Sequence, residues 1–338
     1  MDQPGFDDSA KIRVSLVVPV LDEAATINQL LESIEAQVRQ PDEVIFVDGG
    51  SRDGTQDLLL AARAVNPKVR FIQARKASPG LGRNIGITNA RYDWIALTDA
   101  GNRLDPHWLE RLVETAESRP TAIVCGNYEP VIDSFFTECA SIAYVPASIP
   151  MPGGTVRGPF IASSLVSSEA WQSVGGFPDM RAAEDLIFFE ELSKKGHAIE
   201  WAPEAVVHWE LRPSLGSTFR RFVLYSKWNV WGERQRHWHY RIALFYVAGL
   251  PFLVLAFINS WWWLLVPLSV LFTRVAKRIW EHRENRGVGW VLNPVRFAVV
   301  ATVTLAIDLA MFVGWVGALI KPSQARRVRG MLQNLRYE

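Results

Sequence analysis

The chain has 338 residues, enough for one large domain or two, and 49% of them are hydrophobic. A formal net charge of +1 gives no overall positive field of the kind that attracts nucleic acid, so we expect no nucleic-acid partner. Two cysteines, Cys125 and Cys139, argue against a disulfide scaffold and fit a reducing compartment. Residues 1–10 are acidic and lack the apolar run of a secretory signal, so we expect the front of the chain in the cytoplasm.

Short apolar runs alternate with amphipathic stretches up to about residue 130. Strands separated by helices of this length predict βαβ units around a mostly parallel sheet, and therefore an α/β fold. The predicted strands are RVSLVVPV, EVIFVDGG, VRFIQAR, WIALTDAG and TAIVCGN, and the predicted helices cover residues 25–37 and 55–64 and begin near Gly82 and Pro106.

Asp48 and Asp99 each follow a predicted strand. Ligands of such sheets bind beyond the carboxyl ends of the strands, so both acids are expected to face one crevice. An acid after a strand, taken alone, is more often a turn or helix-cap residue, and that alternative stays open for each. Two acids at equivalent positions favour a binding site.

The next stretch, residues 151–183, is rich in Gly, Pro and Ser and predicts loops around a short strand or helix. AAEDLIFFEELSKKG then predicts a helix with Glu184 and Asp185 in its first turn, where the helix dipole would keep Asp185 ionised. The strand-like HAIEWAPEAVVHWE follows and carries His208 near its end.

Residues 215–239 combine apolar positions at helical spacing with arginines, lysine and tryptophans. This composition predicts an amphipathic helix at a membrane interface, and packing on the soluble domain is a compatible alternative. The cations Arg220, Arg221 and Lys227 suit either a lipid phosphate of an acceptor or anchoring to anionic phospholipid. Together with the loops of residues 151–182, this helix is expected to select the acceptor.

Two apolar runs are candidates for membrane segments. Residues 242–273 carry no charge, with a possible hairpin break at residues 259–260, and residues 297–320 carry only Asp308. The loop before the second run and the tail after it are both basic, so a hairpin plus one span conflicts with the positive-inside rule. Either the last run is re-entrant or interfacial, or the first run crosses once. Asp308 is a functional candidate or part of a half-buried interfacial helix.

A nucleotide diphosphate needs an acceptor for its base or ribose, a cation over its phosphates and closely approaching backbone. Asp48 can accept from a uracil or a ribose, Asp99 can bind a divalent ion, and Arg83 adds positive charge. Asp185 can remove a proton from an acceptor hydroxyl.

The motifs PVLDE (19–23), VDGGSRDGT (47–55), GRNIGI (82–87), TDAG (98–101) and AED (183–185) resemble those of family 2 glycosyltransferases, which have the Rossmann-like GT-A fold. The resemblance covers residues 12–211. It implies an inverting transfer with Mg²⁺ or Mn²⁺ on the departing nucleotide diphosphate. By this resemblance Asp99 binds the metal, Asp185 is the catalytic base, and the nucleotide is contacted by Pro19, Glu23, Asp48, Ser51 and Arg83.

One motif departs from the family pattern. Asp99 is followed by Ala100, Gly101 and Asn102, so the second carboxylate of the usual Asp-x-Asp is missing. His208 lies where related enzymes can place a further metal ligand, and a structural histidine at a sheet edge is the alternative.

The predicted organisation is a cytoplasmic catalytic domain over residues 1–211, an amphipathic interfacial segment over 212–241 and a membrane-embedded region over 242–338. The predicted function is transfer of a sugar from a UDP- or GDP-linked donor to a lipid-linked or polysaccharide acceptor. We expect it at the cytoplasmic face of the cell inner membrane, in contact with membrane lipids. A nucleotidyltransferase and a membrane scaffold without turnover are the alternatives.

Overall fold

A computed structural model of the chain describes residues 12–284 and 286–337, and for residues 334–337 the backbone alone. Residues 1–11, on which the expectation about a secretory signal rests, lie outside the described residues. The strands are β1 Val14–Val20, β2 Glu43–Asp48, β3 Val69–Gln73, β4 Trp94–Leu97, β5 Asn102–Leu104, β6 Ile123–Val131, β7 Ile149–Met151, β8 Gly154–Val156, β9 Ser164–Ser167 and β10 Glu200–Glu210. The helices are α1 Ile27–Glu35, α2 Thr55–Val65, α3 Pro79–Thr88, α4 Trp108–Ser118, α5 Phe135–Tyr144, α6 Ser168–Ser173, α7 Glu184–Lys194, α8 Leu215–Trp231, α9 Gln235–Ile258, α10 Leu265–Glu281, α11 Val288–Val291, α12 Pro294–Leu319 and α13 Pro322–Tyr337.

The central sheet has the strand order β3-β2-β1-β4-β9-β6-β10-β5. Strand β1 pairs in parallel with β2 and β4, β2 pairs with β3, and β6 pairs with β10. The short strands β9 and β5 pair with their neighbours antiparallel. The predicted mostly parallel α/β fold is therefore confirmed, and the loop-rich stretch 151–183 contributes the antiparallel β9 to its centre.

Helices cover both faces of this sheet because β1 and β2 are apolar on both sides. On one face, Leu30 of α1 and Trp108 of α4 are buried against the sheet. On the other face, Ile87 of α3 and Phe188 of α7 are buried. The two covered faces leave the carboxyl edge of β1, β2 and β4 as the place where loops can form a site.

Helix α3 lies unusually close to its neighbours because of two glycines. A Cβ atom at Gly86 would stand 2.3 Å from Val17 Cγ1, and one at Gly80 would stand 2.1 Å from the carbonyl oxygen of Pro178. Only glycine fits such approaches without a shift of the neighbours. The motif GLGRNIGI therefore fixes α3, and with it Arg83, against the sheet.

Helix α8 packs against other parts of the chain, including the apolar helix α12. It runs along α12, where Ser226 Oγ donates to the carbonyl oxygen of Met311 at 2.7 Å. A Cβ atom at Gly314 would stand 2.6 Å from the backbone oxygen of Val223, so this glycine sets the separation of the two helices. Packing on the soluble domain, one of the two compatible interpretations of residues 215–239, is supported by the apolar cluster that Trp228 and Trp231 form with Met180 and Ile187. The interfacial interpretation stays a prediction.

The long apolar run is broken where the sequence predicts. Helix α9 ends at Ile258, a 3₁₀ turn covers Trp261–Leu264, and α10 begins at Leu265. Within the described residues, α9 and α12 are long and apolar enough to cross a membrane by length and composition. They differ in surroundings, because the most apolar window of α9 is 0% buried inside the protein and that of α12 is 39% buried.

Both ends of α12 contact the α/β part of the protein. Near its start, Arg296 Nη2 donates to Glu138 Oε2 of α5 at 3.1 Å. Near its end, Ala318 packs in one apolar cluster with Met180 and Ile187. Helix α12 therefore lies across the α/β part rather than pointing away from it. The predicted boundaries at residues 211 and 241 stay predictions, although α5 and α12 share a core across them.

Asp308 joins the three apolar helices. It lies on α12 and is 1% exposed, and both guanidinium η nitrogens of Arg274 on α10 donate to its carboxylate. The hydroxyl of Tyr246 on α9 donates to the same carboxylate at 2.9 Å. The charge and the hydrogen bonds of this buried carboxylate are satisfied by the arginine and the tyrosine. Asp308 therefore has a structural role in the helix bundle.

Candidate active site

The loops that follow β1 and β2 are joined by hydrogen bonds. Ser51 Oγ accepts from the amide of Asp22 at 2.9 Å, and Thr55 Oγ1 accepts from the amide of Glu23 at 2.9 Å. Asp53 accepts from the amide of Ala24 at 2.9 Å. The polar residues of VDGGSRDGT thus hold the PVLDE loop in place, and the two loops act as one rigid wall.

Asp48 lies at the end of β2 and is fully buried. Its carboxylate accepts from the amides of Gly50 and Ser51, from the Ser51 hydroxyl and from Gln56 Nε2. Gly50 has a φ of 101°, the left-handed conformation that this turn requires. Asp48 therefore makes the turn interaction that was its alternative interpretation, with Ser51 as one partner. Contact of either residue with a nucleotide stays a prediction.

Arg83 connects two acids that are far apart in the chain. Its Nη2 donates to Asp99 Oδ1 at 2.6 Å, and its Nη1 donates to Glu184 Oε1 at 2.8 Å. The arginine and Glu184 are 3% and 7% exposed, whereas Asp99 is 45% exposed. Burial lowers the pKa of Arg83, but the nearby charges of Asp99 and Glu184 outweigh it and the net shift is upward. The guanidinium is therefore a permanent positive charge at the floor of the site.

Glu184 and Asp185 begin α7, as predicted, after Ala183 in a left-handed conformation with a φ of 66°. Burial is the main cause that raises the pKa of Asp185 above its usual value, and the charge of Arg83 opposes it. Burial thus opposes the expected stabilisation of ionised Asp185 by the helix dipole, which stays a prediction. A carboxylate with a raised pKa is closer to the pH at which a general base is most effective.

A first cavity of about 400 Å³ lies at the carboxyl ends of β1 and β4. Its lining includes five of the predicted site residues: Pro19, Glu23, Arg83, Asp99 and Asp185. The opposite wall comes from α8 and α9, with Arg221, Tyr225, Asn229 and Trp238. Residues of all five sequence motifs are therefore brought together in one place, facing the amphipathic segment.

Arg221 is the cation that α8 presents to this cavity. Its Nε donates to the hydroxyl of Tyr225 at 2.9 Å, and the charges of Asp99 and Glu184 are among the causes that raise its pKa. Lys227 instead packs beside Gly317 of α12, and Arg220 does not line the cavity. Of the three predicted phosphate-binding cations, Arg221 is the one that the structure brings to the acids.

His208 lies on β10, paired with Arg103 of β5 and Glu129 of β6. Burial and the charge of Arg103 lower its pKa. Its neighbour Trp209 lines the first cavity, and His208 does not. The structure therefore does not bring His208 to Asp99, and its role as a metal ligand stays a prediction that the geometry does not favour.

No group of three or more His, Cys, Asp or Glu side chains that could hold a metal occurs among residues 12–284 and 286–337. Asp99 and Glu23 both line the first cavity, and the charge of Asp99 is one of the causes that raise the pKa of Glu23. Mg²⁺ is often held by one or two carboxylates together with substrate phosphates and water. Two carboxylates that line one cavity fit such an ion.

A second cavity of about 900 Å³ lies beside the first. Leu21, Gly49, Ala77, Ser78 and Arg181 line both cavities, so the two spaces are contiguous. The second is formed by the loops after β1, β2 and β3 and by parts of α8 and α13. Neither this cavity nor the pairing of Glu184 with Arg83 was anticipated, because both depend on contacts across more than a hundred residues of sequence.

The fold defines an α/β protein of the GT-A type. The sequence model described as Glycosyl transferase family 2 matches residues 15–156, and that described as Glycosyl transferase family group 2 matches residues 94–307. The second match spans more than half of the chain. This chain belongs to the family 2 glycosyltransferases.

Curated relatives carry names from polysaccharide and lipid-linked sugar synthesis. Succinoglycan biosynthesis protein ExoO of Rhizobium meliloti (strain 1021) is 37% identical over 132 residues, 39% of this chain and 37% of the relative. Succinoglycan biosynthesis protein ExoA of the same strain is 25% identical over 63% of this chain and 67% of the relative. The undecaprenyl-phosphate 4-deoxy-4-formamido-L-arabinose transferase of Pseudomonas syringae pv. syringae (strain B728a) is 35% identical over 31% of this chain and 32% of the relative.

The match covers only about a third of the length of ExoO, and about a third of the length of the Pseudomonas transferase. Among solved structures, the chain resembles the mannosyltransferase PcManGT from Pyrobaculum calidifontis, solved in complex with GDP-Man and Mn²⁺, with a TM-score of 0.59. That likeness covers 88% of both chains at 17% sequence identity. It confirms the GT-A-like fold over most of the chain.

Replacing Glu184 with Gln should flatten the pH dependence of stability. Burial, with the charge of Asp185, raises the pKa of Glu184 from 4.5 to about 7, so the folded protein holds a proton that the unfolded chain has lost. The stability that this group contributes is present below pH 4.5 and is lost as the pH rises to about 7. Melting temperatures of the solubilised protein across this range should fall less steeply for Glu184→Gln than for the wild type. Parallel curves would contradict the raised pKa of Glu184, and Glu169→Gln on α6 is the exposed control.

Proposed function

We propose that this protein is a membrane-attached inverting glycosyltransferase that moves one sugar from a nucleotide-sugar donor to an acceptor hydroxyl. The observation that carries the proposal is the meeting of Arg83, Asp99 and Asp185 in one cavity at the carboxyl edge of the sheet. A cation, a metal-binding carboxylate and a base with a raised pKa are the groups that such a transfer requires.

The donor lies across the two contiguous cavities. Its diphosphate and sugar occupy the first cavity, beside Arg83 and Asp99, and its nucleoside occupies the second, beside the turn that Asp48 and Ser51 hold. Support comes from the lining that the two cavities share, which makes them one continuous space. A UDP- or GDP-linked sugar suits this division, and PcManGT, which has a similar fold, is described with GDP-Man.

Asp185 acts as the general base. It accepts the proton of the acceptor hydroxyl as that oxygen forms a bond to the anomeric carbon. The bond from this carbon to the nucleoside diphosphate breaks on the opposite side, so the anomeric configuration inverts. The raised pKa of Asp185 supports the role, because a stronger base removes the proton more readily.

Asp99, with Glu23 beside it, would hold Mg²⁺ or Mn²⁺. When bound, the ion supplies positive charge that stabilises the departing diphosphate. In the structure described here Asp99 is paired with Arg83, so binding of an ion and a diphosphate requires Asp99 and Arg83 to exchange partners. Arg83 is then free to donate to a phosphate oxygen while Glu184 keeps its other side in place.

The acceptor approaches from the side of α8, where Arg221 and Tyr225 face the acids across the first cavity. This wall continues into the apolar α9, so an acceptor held in the membrane reaches the base without leaving the surface. A lipid-linked or polysaccharide acceptor is consistent with the names of the relatives, which include succinoglycan biosynthesis proteins and an undecaprenyl-phosphate sugar transferase.

The apolar helices attach the enzyme to the cytoplasmic side of the cell inner membrane without crossing it. Beyond the layer of Tyr246, Arg274 and Asp308, the hairpin of α9 and α10 extends by the twelve residues up to Ile258. At ~1.5 Å per residue this length is roughly 18 Å, short of the ~30 Å hydrocarbon layer. Helix α12, fixed at both ends to the α/β part, lies at the interface, and this places both basic segments on one side.

Asp185→Asn should abolish transfer and leave donor binding largely intact, because the amide keeps the shape of the side chain but accepts no proton. We expect a loss of at least about 100-fold in kcat, the usual scale for a general base, and a nucleotide-sugar Kd within about twofold of the wild type. Undiminished turnover would refute the role. Asp57→Asn, an exposed change on α2, is the control. If the protein were instead a scaffold without turnover, the wild-type protein itself would release no nucleotide from a nucleotide sugar.

Asp99→Asn should weaken the dependence of nucleotide binding on the divalent ion. We expect the Mn²⁺ concentration that half-saturates UDP or GDP binding to rise at least about tenfold, because one ligand charge is removed from the ion. His208→Ala should leave that concentration unchanged, since the histidine does not line the cavity. Titration of Mn²⁺ by calorimetry measures this concentration for both variants. Equal changes in the two variants would contradict the assignment of Asp99, rather than His208, as the metal ligand.

The tip of the hairpin should be unreachable from the outer side of the membrane. In Ser260→Cys, a membrane-impermeant maleimide added to spheroplasts should give no labelling, and detergent should expose the thiol. The native Cys125 and Cys139 are buried and give a low background. Labelling of position 260 from outside would show that the hairpin crosses the bilayer.

A further inference from the structure

The C-terminal helix α13 forms part of the rim of the second cavity. Gln324 and Arg327 line this cavity, opposite the loops that follow β1, β2 and β3. The two residues are three positions apart on one helix, so they lie on the same face. The family sequence models match no further than residue 307, so α13 lies outside both matched regions.

Apolar packing fixes α13 in this position. Val328 and Leu332 are 1% and 4% exposed, and they belong to one apolar cluster with Trp228, Trp231 and Met180. Positions 325, 328 and 332 repeat at helical spacing and face α8. The helix is therefore held firmly enough for its neighbouring face to present side chains to a ligand.

The second cavity carries an excess of positive charge. Its lining includes five cations and two acids: Arg52, Arg75, Lys76, Arg181, Arg327, Asp22 and Asp179. Asp22 already accepts from the amide of Arg52, and Asp179 already pairs with Arg327 at 3.2 Å. Within the described residues, the side chains of the other four cations have no ion-pair partner. Such a surface attracts an anionic ligand as a whole, including one whose charged group lies in the adjoining first cavity.

We propose that α13 is a donor-binding element, in which Arg327 and Gln324 contact the nucleoside half of the nucleotide donor. The inference rests on the proposed function, because it needs a donor that extends from the first cavity into the second. The contiguous lining of the cavities provides that path. The ligand class is a nucleoside diphosphate.

The chemistry of the two side chains suits a nucleobase or a ribose. The amide of Gln324 offers both donors and an acceptor, and the guanidinium of Arg327 offers several donors in one plane. Arg327 is 71% exposed and has one ion-pair partner, Asp179, so it can turn toward a ligand at small cost. The diphosphate itself stays with Arg83 in the first cavity.

Arg327→Glu, compared with Arg326→Glu, tests the proposal. Both substitutions change the net charge by the same amount on the same helix, but Arg326 is exposed and does not line the cavity. Calorimetry with UDP and with GDP, on the solubilised full-length protein with Mn²⁺, measures Kd. For the nucleotide that the wild type binds more tightly, Arg327→Glu should raise Kd about tenfold and Arg326→Glu less than about twofold.

The charge-neutral variant Gln324→Ala should raise Kd about threefold, since one hydrogen-bonding group is lost. Inorganic pyrophosphate, which lacks a nucleoside, should bind all three variants and the wild type alike. Equal nucleotide affinity of Arg327→Glu and Arg326→Glu, with normal binding by the wild type, would overturn the role of α13 and leave the proposed function standing. Failure of the wild type to bind either nucleotide would overturn both.

Discussion

The double pairing of Arg83 with Asp99 and Glu184 is the interaction on which the site depends. It joins α3, the end of β4 and the start of α7, three elements separated by up to 101 residues of sequence. A buried guanidinium without these partners would carry a large desolvation penalty, so the three side chains hold one another in place. The same pairing keeps positive charge beside the carboxylates that the proposed reaction uses.

The α/β part contacts the apolar helices directly and is not joined to them by a linker alone. Glu138 of α5 accepts from Arg286, Trp290 and Arg296, while α8 packs closely on α12 at Gly314. These contacts fix the open side of the first cavity relative to α9. In the proposed function, this fixed geometry sets the distance from Asp185 at which an acceptor at a membrane surface meets a donor in the sheet crevice.

Sequence motifs predicted well which residues meet at one edge of the sheet, and predicted poorly the hydrogen-bond partners of those residues. Pro19, Glu23, Arg83, Asp99 and Asp185 meet in one cavity as expected, because parallel strands deliver their following loops to the same edge. The carboxylate of Asp48, in contrast, is engaged by its own turn, and the dominant effect on the pKa of Asp185 is burial. Hydrogen-bond partners and desolvation depend on packed neighbours, which a local motif does not specify.

The sequence by itself determined the α/β sheet, the helix that begins at Glu184 and the hairpin break after Ile258, because these follow from local periodicity, capping and apolar run length. Only the tertiary structure decided that Glu184 pairs with Arg83, that α13 lines the second cavity and that α12 lies across the α/β part. Each of these is a contact between residues far apart in the chain, set by how whole elements pack together.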